Sequence, residues 1–235
     1  MNILLVNDDG YDYIGIQIMK KLLSKYGNVV IFAPDGPRSG QSAALTLGRG
    51  IKVEKVSEDT FKCNGTPVDC VSLALCYLNM KFDLVVSGCN CGFNISYDTM
   101  YSGTVGAALE SLIFGVPSIA VSAPYGTDFK LVESHFDEVW AFIQSHKLLS
   151  DKYLLNINFP ENEYKGLALG SLYYRKDQNY FTKNGDEYFA YRYTQEDFSD
   201  QRDSDCYQVA HGIISIVPLS RSYFDPQILN ELKNK

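Results

Sequence analysis

Short, uninterrupted apolar runs recur along the first two-thirds of the chain, each followed by a polar turn and then by apolar residues at helical spacing. NILLV near the amino terminus, NVVIFAP, FDLVVSG and PSIAVSAP are too short for helices and apolar at successive positions. That pattern predicts strands buried on both faces. Between them, GIQIMKKLLSKY sets Ile16, Met19, Leu22 and Leu23 on one helical face, and GTVGAALESLIFG reads as a helix ending at Gly115. In NGTPVDCVSLALCYL, Thr66 is suited to cap a helix, with Pro67 at its first position and Asp69 completing a capping box. IKVEKV and TFKCN predict a hairpin. Strands alternating with helices predict an α/β fold with a parallel sheet covered on both faces.

After YLLNINFP the pattern changes. Residues from about 171 to 208 are rich in tyrosine and charge, and YFTKNGDEYFAYRY alternates around an Asn-Gly pair, a strong hairpin signal. A lone hairpin so rich in Tyr and Phe has little stability of its own. It is expected to pack on another subunit, the alternative being that it lies across its own domain. GIISIVPL predicts a last strand and DPQILNELKNK a last helix. The expected organisation is one domain over 1–235, with a core of about 1–160 and an extension of about 161–235.

Composition narrows the function classes. Of 235 residues, 46% are apolar and 21% charged, and the formal net charge is −7, which argues against a nucleic-acid polymer or an anionic membrane as partner. The run ILLV is too short for a signal peptide and two aspartates follow it, so a cytoplasmic location is expected. The six cysteines, Cys63, Cys70, Cys76, Cys89, Cys91 and Cys206, show no C-x-x-C pair and read as free thiols.

Candidate chemistry lies at the strand ends, because ligands of open parallel sheets bind outside the carboxyl ends of the strands. NDDG puts Asp8 and Asp9 at the first such end. Two carboxylates about 4 Å apart repel by roughly 1 kcal/mol in water and by more when buried. A shared proton or a hard divalent cation such as Mg²⁺ or Mn²⁺ would offset that, whereas a plain turn would use the side chains to cap amides. DGPRSG offers Ser39 at the next strand end, and CNCGFN offers Asn90 and Asn94 at another. In YSGTVGAALE, Ser102 or Thr104 is placed to cap a helix whose first N–H groups suit an anion, and Gly103 leaves room for its approach. His135, His146 and His211 read as structural.

Taken together, ILLVNDDG, APDGPRSGQSAALTL, NGTPVDCV, DLVVSGCNCGFN, YSGTVGAALE and GVPSIAVS resemble the SurE family of survival-protein 5′-nucleotidases. LLNINFP and SDCYQVAHGIISIVPL fit its later segments, so the resemblance spans nearly the whole chain. It implies a Rossmann-like α/β domain whose carboxyl-terminal extension swaps between subunits of a homodimer or homotetramer. It implies a phosphomonoesterase for nucleoside monophosphates, with one divalent cation per subunit, Mg²⁺ or Mn²⁺. The family's metal ligands fall on Asp8, Asp9, Ser39 and Asn90, and the two aspartates carry catalysis. Its phosphate pocket falls on Ser102, Gly103 and Thr104, with Gly40, Ser42 and Asn94 as neighbours. Action on 3′-nucleotides and polyphosphate is left open. The chain departs from the family pattern at Gly36, Pro37 and Ala43, and at Ser96 and Tyr97 where Gly-Asp is usual.

Readings from other classes remain. A phospho-accepting receiver domain also carries an acidic pair, but needs Asp at the end of its central strand, where FDLVVSG has Ser87. A dehalogenase-type phosphatase requires Asp-x-Asp, which Asp8-Asp9-Gly10 lacks. A nucleotide-binding regulator without turnover would share most of these residues, and release of phosphate separates the two.

Overall fold

A computed structural model describes residues 1–174, 178–193, 200–222 and 226–233. In chain order its elements are β1 (Asn2–Val6), α1 (Ile14–Leu23), β2 (Asn28–Pro34), β3 (Val53–Ser57), β4 (Thr60–Cys63), α2 (Pro67–Tyr77), β5 (Leu84–Cys91), α3 (Asp98–Tyr101) and α4 (Gly103–Ile113). There follow β6 (Ser118–Ala123), α5 (Lys130–Ser145), β7 (Tyr153–Asn158), β8 (Gly166–Leu169), β9 (Gln178–Asn184), β10 (Glu187–Tyr193), α6 (Asp205–Ala210), β11 (Ile213–Ser220) and α7 (Pro226–Lys233).

The main sheet runs β3-β4-β2-β1-β5-β6-β7-β11-β8. Its centre, from β4 to β7, is parallel, while β3 pairs with β4, and β11 with β7, in antiparallel sense. The chain leaves β1 for β2 on one side and later returns to β5 on the other. The carboxyl end of β1 is therefore the switch point of the sheet, where a crevice opens.

The apolar runs form this sheet because both of its faces need cover. Ile3 and Leu5 point to the layer that holds Ile16, Met19 and Leu23 of α1 with Phe136 and Trp140 of α5, whereas Leu4 and Val6 pack with Cys70, Val71 and Ala74 of α2. Val105, Ala108 and Leu112 of α4 cover Ala120 and Leu154 on further strands. Each fully buried Leu or Ile contributes roughly 1.5–3 kcal/mol, so these layers dominate stability. The α2 capping box is present: the Thr66 hydroxyl accepts from the Asp69 N–H (3.1 Å), and the Asp69 carboxylate accepts from the Thr66 N–H (2.8 Å). The expected β3–β4 hairpin is present too, with a register shift between Lys55 and Ser57.

The division near residue 160 does not separate two sheets. Both β8 and β11 lie beyond it and complete the main sheet, β11 along β7 from Ser215↔Asn158 to Ser220↔Tyr153. What does stand apart is the hairpin β9–β10: the expected hairpin is present, but its turn falls on Gly185 and Asp186, because Asn184 is still paired, with Glu187, and Gly185 takes the left-handed conformation (φ 62°). Residues 181–190 are exposed throughout, so this stretch does not lie across the core of its own protomer. The flanking parts of the tyrosine-rich segment, 175–177 and 194–199, lie outside the described residues.

Candidate active site

Three strand ends and one helix start meet at the switch point. The turn after β1 is closed by Asn7, which is fully buried: its side-chain amide donates to Gly10 O (2.9 Å), and its Oδ1 accepts from the Gly10 N–H (3.1 Å). That closure presents Asp8 and Asp9 to different neighbours. Asp8 is 4% exposed, and its Oδ1 accepts from the Thr104 hydroxyl at 2.7 Å. Burial pushes its carboxyl above the usual range, while the Thr104 hydroxyl and the backbone N–H groups of Thr104 and Gly103 pull it down. Asp9 is half-buried and accepts from the Cys91 N–H (3.4 Å). Burial first, and then the Asp8 charge, push Asp9 up to about 6.

The Asn90 position depends on a β-bulge. The β5–β6 register runs Ser87↔Ala120 and then Asn90↔Ser122, so β5 carries an extra residue just before Asn90. Such a bulge re-aims the side chain that follows it. The Asn90 amide donates to Gly92 O (2.8 Å), which leaves its Oδ1 as the atom available for a ligand. Ser39 sits exposed on the loop after β2. That loop is fastened to the acidic turn, since the Arg38 N–H donates to Asp8 O (2.7 Å). The Arg38 guanidinium is taken up locally by Asp35 (2.6 Å) and by Gly65 O (3.2 Å).

The residues expected to receive phosphate are placed more variously. Ser102 caps α4 by accepting from the Val105 N–H (3.1 Å). With Ser42, Met100, Leu172, Tyr174 and Leu219, it lines a cavity of about 390 Å³. Gly103 is where the helix meets the acidic turn: a Cβ there would come within 3.0 Å of the Asp8 Cβ. Thr104 is fully buried and gives its proton to Asp8, so it acts on that carboxylate. Ser42 ties its loop to α3, its hydroxyl donating to Met100 O (2.7 Å) and its N–H to Tyr101 O (2.9 Å). Gly40 is exposed and left-handed (φ 72°).

Asn94 is buried in an amide network. Its N–H donates to Asn158 Oδ1 (2.8 Å) and its side chain to Ser122 (2.8 Å), while Asn156 donates to its carbonyl (2.7 Å). Asn94 thus anchors the loop after β5 to β6 and β7. The histidines contact other things: His135 stacks on Tyr164 and His211 on Tyr207, while His146 packs at a tilt against Phe142.

Sequence reasoning passed over Asn7, Arg38, Asn156 and Asn158. For the last two a signal exists: in LLNINFP the asparagines fall two apart inside an apolar strand, so both face one buried side and require partners. Arg38 carries no such signal, because its decisive contact is made by its backbone.

A prediction follows from the Thr104 contact. Thr104→Val keeps the shape and removes the donor, leaving a buried carboxylate short of one partner, which costs roughly 1–3 kcal/mol. Thr104→Ser should retain most stability, and thermal unfolding of the two variants beside wild type decides; equal midpoints for Val and Ser would refute the role.

Fold and site together define a class: a doubly wound α/β protein with a carboxylate pair at its switch point, flanked by amide and hydroxyl oxygens. The survival protein SurE family model matches residues 3–179. Curated relatives named 5′-nucleotidase SurE include those of Acinetobacter baylyi, 36% identical over 99% of this chain and 98% of the relative, and Actinobacillus succinogenes, 39% identical over 93% and 92%. The crystal structure of the SurE protein from Aquifex aeolicus matches with a TM-score of 0.84 and 32% identity, covering 100% of this chain and 99% of that one. The chain belongs to the SurE family. Among the described residues no helix is long and apolar enough to cross a membrane.

Proposed function

We propose that the protein is a divalent-metal-dependent 5′-nucleotidase that hydrolyses nucleoside 5′-monophosphates to nucleoside and phosphate. Relatives that match almost end to end carry the name 5′-nucleotidase SurE. The observation that carries the reading is the carboxylate pair, each member held by a different element beside the start of α4. The donors suit a hard cation. Among the described residues no three of His, Cys, Asp and Glu come together, so the ligands on offer are two carboxylates with the oxygens of Ser39 and Asn90. Both carboxylates are held above their usual range, which a proton or a cation relieves.

Asp8, Asp9, Ser39 and Asn90 would hold Mg²⁺ or Mn²⁺. When bound, the cation supplies positive charge that offsets the phosphoryl oxygens. Thr104 keeps Asp8 in one orientation, so the pair is organised before substrate arrives. Asp9, with one N–H partner and less completely buried than Asp8, is the carboxylate placed to take a proton from the attacking water. The exposed aromatic hairpin supports a homodimer or homotetramer.

The test is phosphate release from AMP, GMP and 3′-AMP, and from a short polyphosphate, with Mn²⁺, Mg²⁺ or EDTA. Release from the 5′-nucleotides that EDTA abolishes is expected. Binding of AMP without release under any metal would leave a nucleotide-binding regulator.

A pH dependence accompanies this. In the folded, metal-free protein Asp9 titrates at about 6, above its unfolded value near 3.8, so the folded state binds the extra proton. Stability is full below the unfolded value and is lost as pH rises through about 6. In EDTA the unfolding midpoint should fall across that window, and Mn²⁺, by replacing the proton, should flatten the fall. An EDTA profile no steeper than that of Asp9→Asn would contradict it.

A further inference from the structure

Away from the acidic turn, the thiols of Cys63 and Cys70 lie with their sulfurs 3.3 Å apart, at the end of β4 and in the first turn of α2. Both are free and buried. Sulfurs at that distance lie within hydrogen-bonding contact, and a disulfide needs about 2.05 Å, so roughly 1 Å of approach separates the two states. Cys70 sits among the aliphatic residues of α2, whereas Cys63 also lines a cavity of about 450 Å³ at the surface with Asp35, Lys52, Lys62 and Asn64. Of the two residues, Cys63 is thus the one that borders a surface cavity, though it is itself 1% exposed, and Cys70 lies beside it.

We propose that Cys63 and Cys70 form a redox modification site, closing to an intramolecular disulfide when a hydroperoxide reaches Cys63. The atoms balance in two steps. The Cys63 sulfur, giving up its proton, attacks the peroxide oxygen and breaks the O–O bond, leaving a sulfenic acid and water (or an alcohol). The Cys70 sulfur then attacks the Cys63 sulfur, the S–O bond breaks, and a second water leaves with the Cys70 proton. Two thiols are oxidised and one peroxide is reduced. The hydrogen bond from Cys70 holds the Cys63 thiol below its usual range while burial holds Cys70 above it, which assigns attacker and resolver in the same order.

The site is tied to its surroundings. Cys63 O accepts from the Asp35 N–H (2.8 Å), and Gly65 O, inside the ring that the disulfide would close, accepts from Arg38 (3.2 Å). Asp69, next to Cys70, holds the Thr46 hydroxyl (2.6 Å) and its N–H (2.9 Å). A bond between Cys63 and Cys70 would stiffen this junction at a place where nothing in the phosphate chemistry requires cysteine.

The experiment uses Cys76→Ala as background, because Cys76 is exposed and would confuse the assignment. The native protein is treated with hydrogen peroxide, quenched, denatured and alkylated, and its intact mass and its digest by a protease cleaving before Asp69 are measured. Expected are an intact protein carrying two fewer alkyl groups than the untreated control, linked fragments containing Cys63 and Cys70 that separate in dithiothreitol, and an unfolding midpoint raised by several degrees. Adding Cys70→Ala should abolish the linkage and leave Cys63 as sulfenic or sulfinic acid. Full alkylation of both thiols after peroxide would overturn the proposal, and so would their oxidation without linkage.

Discussion

Asp9→Asn is expected to cut phosphate release from AMP by roughly a thousandfold while raising the stability of the metal-free protein. The two effects have opposite signs for one reason. Asp9 carries a charge that is half-buried beside a second, deeply buried carboxylate, and both burial and that neighbour oppose its ionisation. Asparagine keeps the shape and still accepts from the Cys91 N–H, so the fold loses nothing it was using. It removes the charge that would attract a cation and the oxygen that would take a proton. In EDTA near neutral pH the variant should unfold a few degrees above wild type, and the upward shift that Mn²⁺ gives wild type should be almost gone. Phosphate release assays and calorimetry on the same preparations check both halves. A variant that retains a tenth of wild-type activity would remove Asp9 from the chemistry. A variant less stable than wild type in EDTA would mean that the pair is stabilised by something other than a cation.

How much of this was legible depended on length and periodicity. The buried runs from NILLV to PSIAVSAP and the Thr66–Asp69 box became the strands and the cap expected, because long apolar runs and capping boxes act locally. The short elements α3, α6 and β8 were not read, since α3 and α6 span fewer than two helical turns and β8 is only four residues long, too little for a repeating pattern, and their form follows from tertiary contacts. At the site, Asp8, Asp9 and Asn90 were legible from their place at strand ends. The roles of Thr104 and Arg38 were not. Capping logic offers Thr104 as a helix start facing a ligand, but Ser102 takes the cap and Thr104, two residues further along, reaches Asp8. The bulge before Asn90 was hidden as well, because it is a mismatch between two strands and a single strand does not display it.

Gly15→Ala tests how tightly that bulged strand is held. In the first turn of a helix, alanine is ordinarily better than glycine by about 1 kcal/mol, so propensity alone predicts stabilisation. Here α1 lies against β5 so closely that a Cβ on Gly15 would come within 2.1 Å of the Cys89 carbonyl oxygen and 3.3 Å of the Phe129 ring. The ring can yield, but the carbonyl belongs to the backbone of the central sheet. Overpacking costs roughly 1–3 kcal/mol where side chains can move, and more where they cannot. The clash should win, with a net loss of about 3 kcal/mol and an unfolding midpoint lowered by roughly 10 °C. Since Cys89 precedes Asn90, pushing this strand outward should also weaken Mn²⁺ binding, by about tenfold for each 1.4 kcal/mol lost at that ligand. Gly50→Ala, where a Cβ meets nothing within 4 Å, should stay within about 0.5 kcal/mol of wild type. If calorimetry found Gly15→Ala as stable as that control, α1 would be free to ride away from β5, and the acidic turn leading into α1 could not owe its placement to this contact.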